Sequence, residues 1–176
     1  MDESIWIRDA EPRDLDTLVG FNCAMALETE HKVLDPACLR RGVAGVFDDP
    51  RRGFYLIAEH AGTVAGGLMV TFEWSDWRCG DWWWVQSVYV RPEDRGHGVF
   101  AALYGEVGRR ARAAAAVGLR LYVERENRRA QRTYAALGMG ETGYRLFEEE
   151  FERLRDPMDG SREGTEGAAG PTPTPG

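Results

Sequence analysis

Arg95, Gly96, His97 and Gly98 stand in a row within "VQSVYVRPEDRGHGVFAALYGEV", after an apolar run and before an alanine-rich one. A strand that runs into glycines and then into a helix can hold an anion. The helix N-terminus offers unpaired N–H groups and a partial positive charge. Glycine lets that backbone come close to a ligand, because no Cβ intervenes. The forked guanidinium of Arg95 matches phosphate oxygens. A pyrophosphate is the natural guest of such a turn. Two nucleotide motifs fit poorly. A dinucleotide site reads GxGxxG after the first strand of a parallel unit, and a P-loop needs GKS or GKT. Here the turn follows the third strand of a meander, and no GKS or GKT occurs.

A second group is aromatic and acidic. Five of the six tryptophans, Trp74, Trp77, Trp82, Trp83 and Trp84, fall within eleven residues. Strand alternation places Trp82, Trp84, Gln86 and Val88 on one face and Trp83, Val85, Ser87 and Tyr89 on the other. Both faces are then apolar, as in a strand covered on both sides. Trp83 reads as core, Trp84 as the wall of a binding site, and Trp77 as a loop lid or interface. Such a wall, with Glu73, Glu28 or Glu30 nearby, suits a cationic amine through cation–π and charge attraction.

These residues need elements to position them. Trp6 to Arg8 reads as a first strand, and Pro12 opens a helix that keeps its spacing to about Glu28. A second helix starts at Asp35-Pro36 and ends before Asp48. Phe54–Glu59 and Val64–Phe72 form a hairpin, and Trp82–Val90 is a third long strand. The helix after the glycine turn runs to about Ala116. Leu119–Val123 is a strand, and Asn127–Leu137 is a helix closed by Gly138. Gly140 to Phe151 holds a last strand or strand pair. The order β-α-α-β-β-β-α-β-α-β implies an α/β fold with a mixed sheet and helices on both faces. One domain is expected over 1–155. Residues 156–176, rich in Gly and Pro and lacking aromatic residues, read as a disordered tail.

The 176 residues carry a net charge of -7 and a pI of about 5.1. Nucleic acid and anionic lipid need a basic face, so neither is expected as a partner. Cys23, Cys38 and Cys79 show no zinc-ligand spacing, so no metal is expected and the thiols read as free in a reducing cytoplasm. The N-terminal stretch MDESIWIRD lacks a signal-peptide pattern, and no apolar run reaches the ~20 residues of a membrane span.

The stretches "VYVRPEDRGHGVFAALYGEV" and "GLRLYVERENRRAQRTYAALGM" resemble the GNAT superfamily of acyl-CoA N-acyltransferases. The likeness covers Ile5 to Phe151. It is most specific at the R/Q-x-x-G-x-G/A signature, matched by Arg95 to Phe100, and at Asn127 followed seven residues later by Tyr134. The resemblance implies acetyl-CoA as donor, with Arg95, Gly96, His97, Gly98, Val99 and Phe100 at its pyrophosphate. It implies that the backbone of Val88, Tyr89 and Val90 pairs with pantetheine as an added strand. Phe100 departs from the usual Gly or Ala of the signature and puts the pyrophosphate geometry in question.

The reaction implied is direct acetyl transfer to a primary amine, expected to be that of a small molecule. Tyr134 would be the general acid that protonates the leaving thiolate. A backbone N–H near Val88 would meet the oxyanion. Many relatives carry a Glu where this chain has Gln86, and an amide takes no proton at neutral pH. Glu30, Glu28, Glu73 and His31 are the candidates for a base, with Glu28, Glu73, Trp84 and Gln86 also lining the acceptor site. Two other readings stay open: an acyl-CoA-binding sensor without activity, and an acetyltransferase acting on protein Lys or N-terminal amines. The resemblance also carries the expectation of a homodimer.

Overall fold

The computed structural model describes residues 4–149 and 151. It divides into a unit that ends at Gly140 and a second that begins at Glu141.

In the first unit, β1 (Ile5–Asp9) leads through a 3-10 turn at Pro12–Asp14 into α1 (Leu15–Glu30). The turn is built by charge. Arg8 grips both oxygens of buried Asp14, Nη1 to Oδ2 at 2.7 Å and Nη2 to Oδ1 at 2.9 Å. Its Nε donates to Glu59 on the neighbouring strand at 2.7 Å. α2 (Pro36–Asp48) starts where Asp35 caps it, accepting from the N–H groups of Ala37 and Cys38. The side-chain oxygens satisfy donors that have no partner inside the helix.

β2 (Phe54–His60), β3 (Thr63–Ser75) and β4 (Gly80–Val90) follow as an antiparallel meander. α3 (Val99–Ala113) crosses over to β5 (Gly118–Arg120), which pairs parallel with β4, and α4 (Arg128–Ala136) comes last. The strand order is β1-β2-β3-β4-β5. Gly138 stands just past α4 with φ 88°, the left-handed closure its sequence position predicts. In the second unit, residues 141–149 hold no strand, so the strand expected over Gly140–Phe151 is not formed there.

The sheet separates two apolar layers. Leu56, Val70, Trp83 and Val85 pack with Val99, Leu103 and Val107 of α3. Tyr55 and Ile57 pack with Leu18, Val19 and Val43 of α1 and α2. Trp83 is thus core, as its alternation predicts.

Below Ser87 the alternation of β4 holds; beyond it the pattern inverts. Gly67 stands opposite Tyr89 and Met69 opposite Gln86, so one residue of β3, Leu68, faces two of β4. That is a β-bulge, and Ser87 sits in it with φ 49°. The extra residue turns Val88 and Val90 toward the α3 layer. It turns Tyr89 toward α1, where its ring lies 5.1 Å from that of Phe21. The expected sharing of one face by Gln86 and Val88 is corrected accordingly.

Candidate active site

β4 and β5 pair only over Trp82–Trp84 and Gly118–Arg120. Past Trp84, the β5-facing edge of β4 has no strand partner among the described residues. A cleft of about 430 Å³ opens beside that edge. Its walls are Val88, Tyr89 and Val90 of β4, the turn before α3, the C-terminal turns of α1 and one face of α4. Gly96 and Gly98 both sit in the left-handed region, with φ 88° and 87°. That conformation is strained for any residue with a Cβ, which explains the two glycines of the turn. The turn is thereby bare of side chains where α3 presents its N-terminus. His97, between them, is turned outward and does not line the cleft. Its ring stacks on His60 at 5.5 Å, and His60 Nδ1 lies 2.7 Å from Asp94.

Arg95 is held on both sides. Its Nε donates to the Val90 carbonyl at 2.9 Å and its Nη2 to Glu28 at 2.6 Å. Glu28 also accepts from the Tyr89 hydroxyl at 2.8 Å. The Arg95 hydrogen bond is the main reason that the Glu28 carboxyl lies below the usual carboxylate range. The α1 carboxylate is therefore ionised and engaged.

Phe100 finds its explanation here. Its ring meets Tyr134 edge-on at 5.6 Å and Tyr104 at 6.0 Å. It fills the seam between α3 and α4 rather than lying across the glycine turn. Burial pushes the Tyr134 phenol above its ordinary value, so the ring keeps its proton through neutral pH. Asn127 caps α4 by accepting from Ala130 N–H at 3.0 Å, which fixes the helix that carries Tyr134.

The cleft therefore gathers Val88, Tyr89, Val90, Arg95, Gly96, Gly98, Val99, Phe100, Asn127, Tyr134 and Glu28. Glu30 does not belong to it. It is exposed and pairs with Lys32 at 2.7 Å. His31 closes α1 in the left-handed region.

Glu73, Trp84 and Gln86 form a separate cluster on the sheet face shared with α1 and α2. Glu73 accepts from Arg120 Nη1 at 2.8 Å on one oxygen and from the Trp84 indole N–H on the other. The Gln86 amide donates to Thr71 Oγ1 at 2.5 Å. The sequence reading passed over Arg120 and Thr71. Alternation within Leu119-Arg120-Leu121 was the available sign for Arg120, because it sets a charge opposite two core leucines. Exposed Trp77 touches neither cluster.

Residues 22–139 match the Acetyltransferase (GNAT) family. The chain belongs to that family. This acetyltransferase is also 42% identical to a possible acetyltransferase from Clostridium difficile 630, with a TM-score of 0.78, over 85% of this chain and 99% of that one. Its fold is shared by a predicted acetyltransferase with acetyl-CoA from Clostridium acetobutylicum (16% identity, TM-score 0.67, 83% and 96% covered). A ribosomal-protein-alanine N-acetyltransferase from Brucella melitensis shares it as well (18%, TM-score 0.69, 84% and 99%). No curated protein matches the chain. Among the described residues of the acetyltransferase, no group of His, Cys, Asp and Glu is arranged to hold a metal, and no helix is long and apolar enough to cross a membrane.

Proposed function

We propose that this acyl-CoA N-acyltransferase moves an acetyl group from acetyl-CoA to a primary amine of a small molecule in a ternary complex. The observation that carries the reading is the cleft. An unpaired strand edge, a glycine turn at the start of α3 and a half-buried phenol line one space of about 430 Å³. Pyrophosphate oxygens would meet the turn at Arg95–Phe100, and pantetheine amides would pair with the backbone of Val88–Val90. Arg95 would exchange its Glu28 partner for phosphate.

The amine attacks the thioester carbonyl, the C–N bond forms and the carbonyl oxygen gathers charge. A main-chain N–H near Val88 is our candidate donor to that oxygen. As the C–S bond breaks, Tyr134 gives its proton to sulfur, and the new amide nitrogen loses one to solvent. Glu28 is the one candidate base that lines the cleft, but its pairing with Arg95 and Tyr89 makes it a weak proton acceptor. We assign no carboxylate base; the amine reacts from its neutral fraction.

The test is thiol release from acetyl-CoA across a panel of primary amines, with calorimetric binding of acetyl-CoA alongside. Turnover of at least one small amine is expected. Binding without turnover of any amine, peptide or protein would replace this reading with that of an acyl-CoA sensor. Turnover of N-terminal or lysyl peptides alone would move the acceptor to proteins.

A further inference from the structure

On the sheet face beside the cleft, the positions suited to a cationic guest are already taken. Arg120 lies over the Trp82 ring at 4.1 Å and near the Trp84 ring at 5.8 Å. The protein's own guanidinium thus occupies the aromatic wall. Both oxygens of Glu73 are engaged, one with Arg120 and the other with the Trp84 indole.

The open valences belong to Arg120. A guanidinium has five N–H groups. One nitrogen, Nη1, is engaged with Glu73, and no other hydrogen bond of Arg120 is formed among the described residues. Its side chain is 34% exposed, so a ligand can reach it. The ring beneath and the carboxylate beside it fix its plane, which prepares it for two-point contact with a planar anion. Gly118 makes this geometry possible. A Cβ there would stand 2.6 Å from the Trp82 ring, so the ring lies flat only because the residue beneath it is glycine.

We infer that Arg120 is a specificity residue that binds a carboxylate of the acceptor amine, at a distance from the amino group that reacts. The inference rests on the acetyl-transfer reading of the cleft. Spacing narrows the class. Arg120 is in register with Trp84, and Val88 lies further along β4 beyond Gln86. With the bulge counted as one step the two levels are three residues apart, roughly 10 Å at about 3.3 Å per residue, and the guanidinium lies further off, over Trp82. An α-amino acid is too short to reach both. An ω-amino carboxylate or a short peptide with a free C-terminus fits. The aromatic wall therefore serves an anionic end, opposite to the cationic amine its composition predicts.

The test compares glycine, 4-aminobutyrate and 6-aminohexanoate with the corresponding primary amides, and adds 1,6-diaminohexane. Thiol release is measured with wild type, Arg120→Gln, Arg120→Lys and Glu73→Gln. For the longer carboxylates, kcat/KM should exceed that of their amides by roughly ten- to a hundredfold, the worth of a charge-assisted contact. Arg120→Gln should erase that ratio, Arg120→Lys should restore part of it, and Glu73→Gln should enlarge it by releasing the guanidinium. A purely structural ion pair would make Arg120→Gln and Glu73→Gln alike, which would overturn the inference. Equal or better turnover of the amides or the diamine by wild type would overturn it too.

A second measurement is independent of turnover: calorimetric titration of 6-aminohexanoate into enzyme saturated with CoA. Saturable binding that Arg120→Gln abolishes supports the carboxylate site even where no amine is acetylated, in which case the transfer reading alone has failed. No binding and no carboxylate preference overturns the site while leaving transfer intact.

Discussion

At the scale of the residue, the proposed chemistry turns on Tyr134 and the ring that props it. Tyr134→Phe removes the proton donor but keeps the edge contact with Phe100. Its kcat should fall by about 10²–10⁴, with acetyl-CoA affinity by calorimetry unchanged. Phe100→Ala opens the seam between α3 and α4, and kcat should fall about tenfold, the worth of an aromatic pair. An equal loss in acetyl-CoA affinity would mean instead that the ring seats the phosphates. The pH profile has a fixed sign. A phenol donates only while protonated, and burial raises Tyr134. The alkaline fall in kcat should therefore come above the ordinary phenol value of about 10. If the amine enters neutral, the rising limb will track acceptor pKa across a series; a limb that stays fixed would reveal a base on the enzyme. Much of this site was legible, because Arg95–Phe100 and Asn127 with Tyr134 are local patterns. Glu28 and Glu30 could not be ranked that way. Two residues apart on a helix they diverge by about 200°, and only tertiary packing decides which one meets Arg95.

At the scale of the element, the Arg8, Asp14 and Glu59 group fixes the entry to α1, whose far end carries Glu28. Asp14→Asn leaves a mostly buried guanidinium short of a partner and should destabilise by about 2–3 kcal/mol in chemical denaturation. Arg8 is also the main reason that the Asp14 carboxyl titrates below its usual range. Its contribution is present above the unfolded carboxylate value of about 4 and is lost as pH falls through the folded one. The variant should accordingly lose less stability than wild type on acidification; a parallel acid limb would assign that sensitivity elsewhere. Helix starts at Asp35-Pro36 and Asn127 were readable from their caps. The length of β5 was not: of the five residues expected, Leu119–Val123, only Leu119 and Arg120 pair with β4, with Gly118 added before them. Nor was the bulge, since Ser87 is neither Gly nor Asn, the residues that usually advertise a left-handed strand position.

At the scale of the molecule, the cleft runs along the free edge of β4 while the Trp84 and Arg120 platform lies on the sheet face beside it. On the proposed reading the two substrates are bound together, and none of the cysteines lines the cleft to act as an acyl carrier. Initial-rate plots at several amine concentrations should intersect, and acetyl-CoA alone should leave the intact mass of the enzyme unchanged. Parallel lines with an added acetyl mass would overturn direct transfer. The chain carries a net charge of -7, so on the proposed reading the phosphates are met locally, by Arg95 and the backbone N–H groups that open α3.

The kink at Ser87 acts on the sequence of β4 as a phase slip acts on a wave. Upstream, odd-numbered residues face α3; downstream, even-numbered ones do. Deleting Ser87 would restore one phase along the whole strand. Val88, Tyr89 and Val90 would keep the faces they hold now, because the residue removed is the one that shifts the phase; straightening the strand with Ser87 retained would instead swap them and take the Tyr89 hydroxyl from Glu28. In the second case no residue lining the cleft would have been altered, so the location of the lesion would not be found by inspecting the site alone.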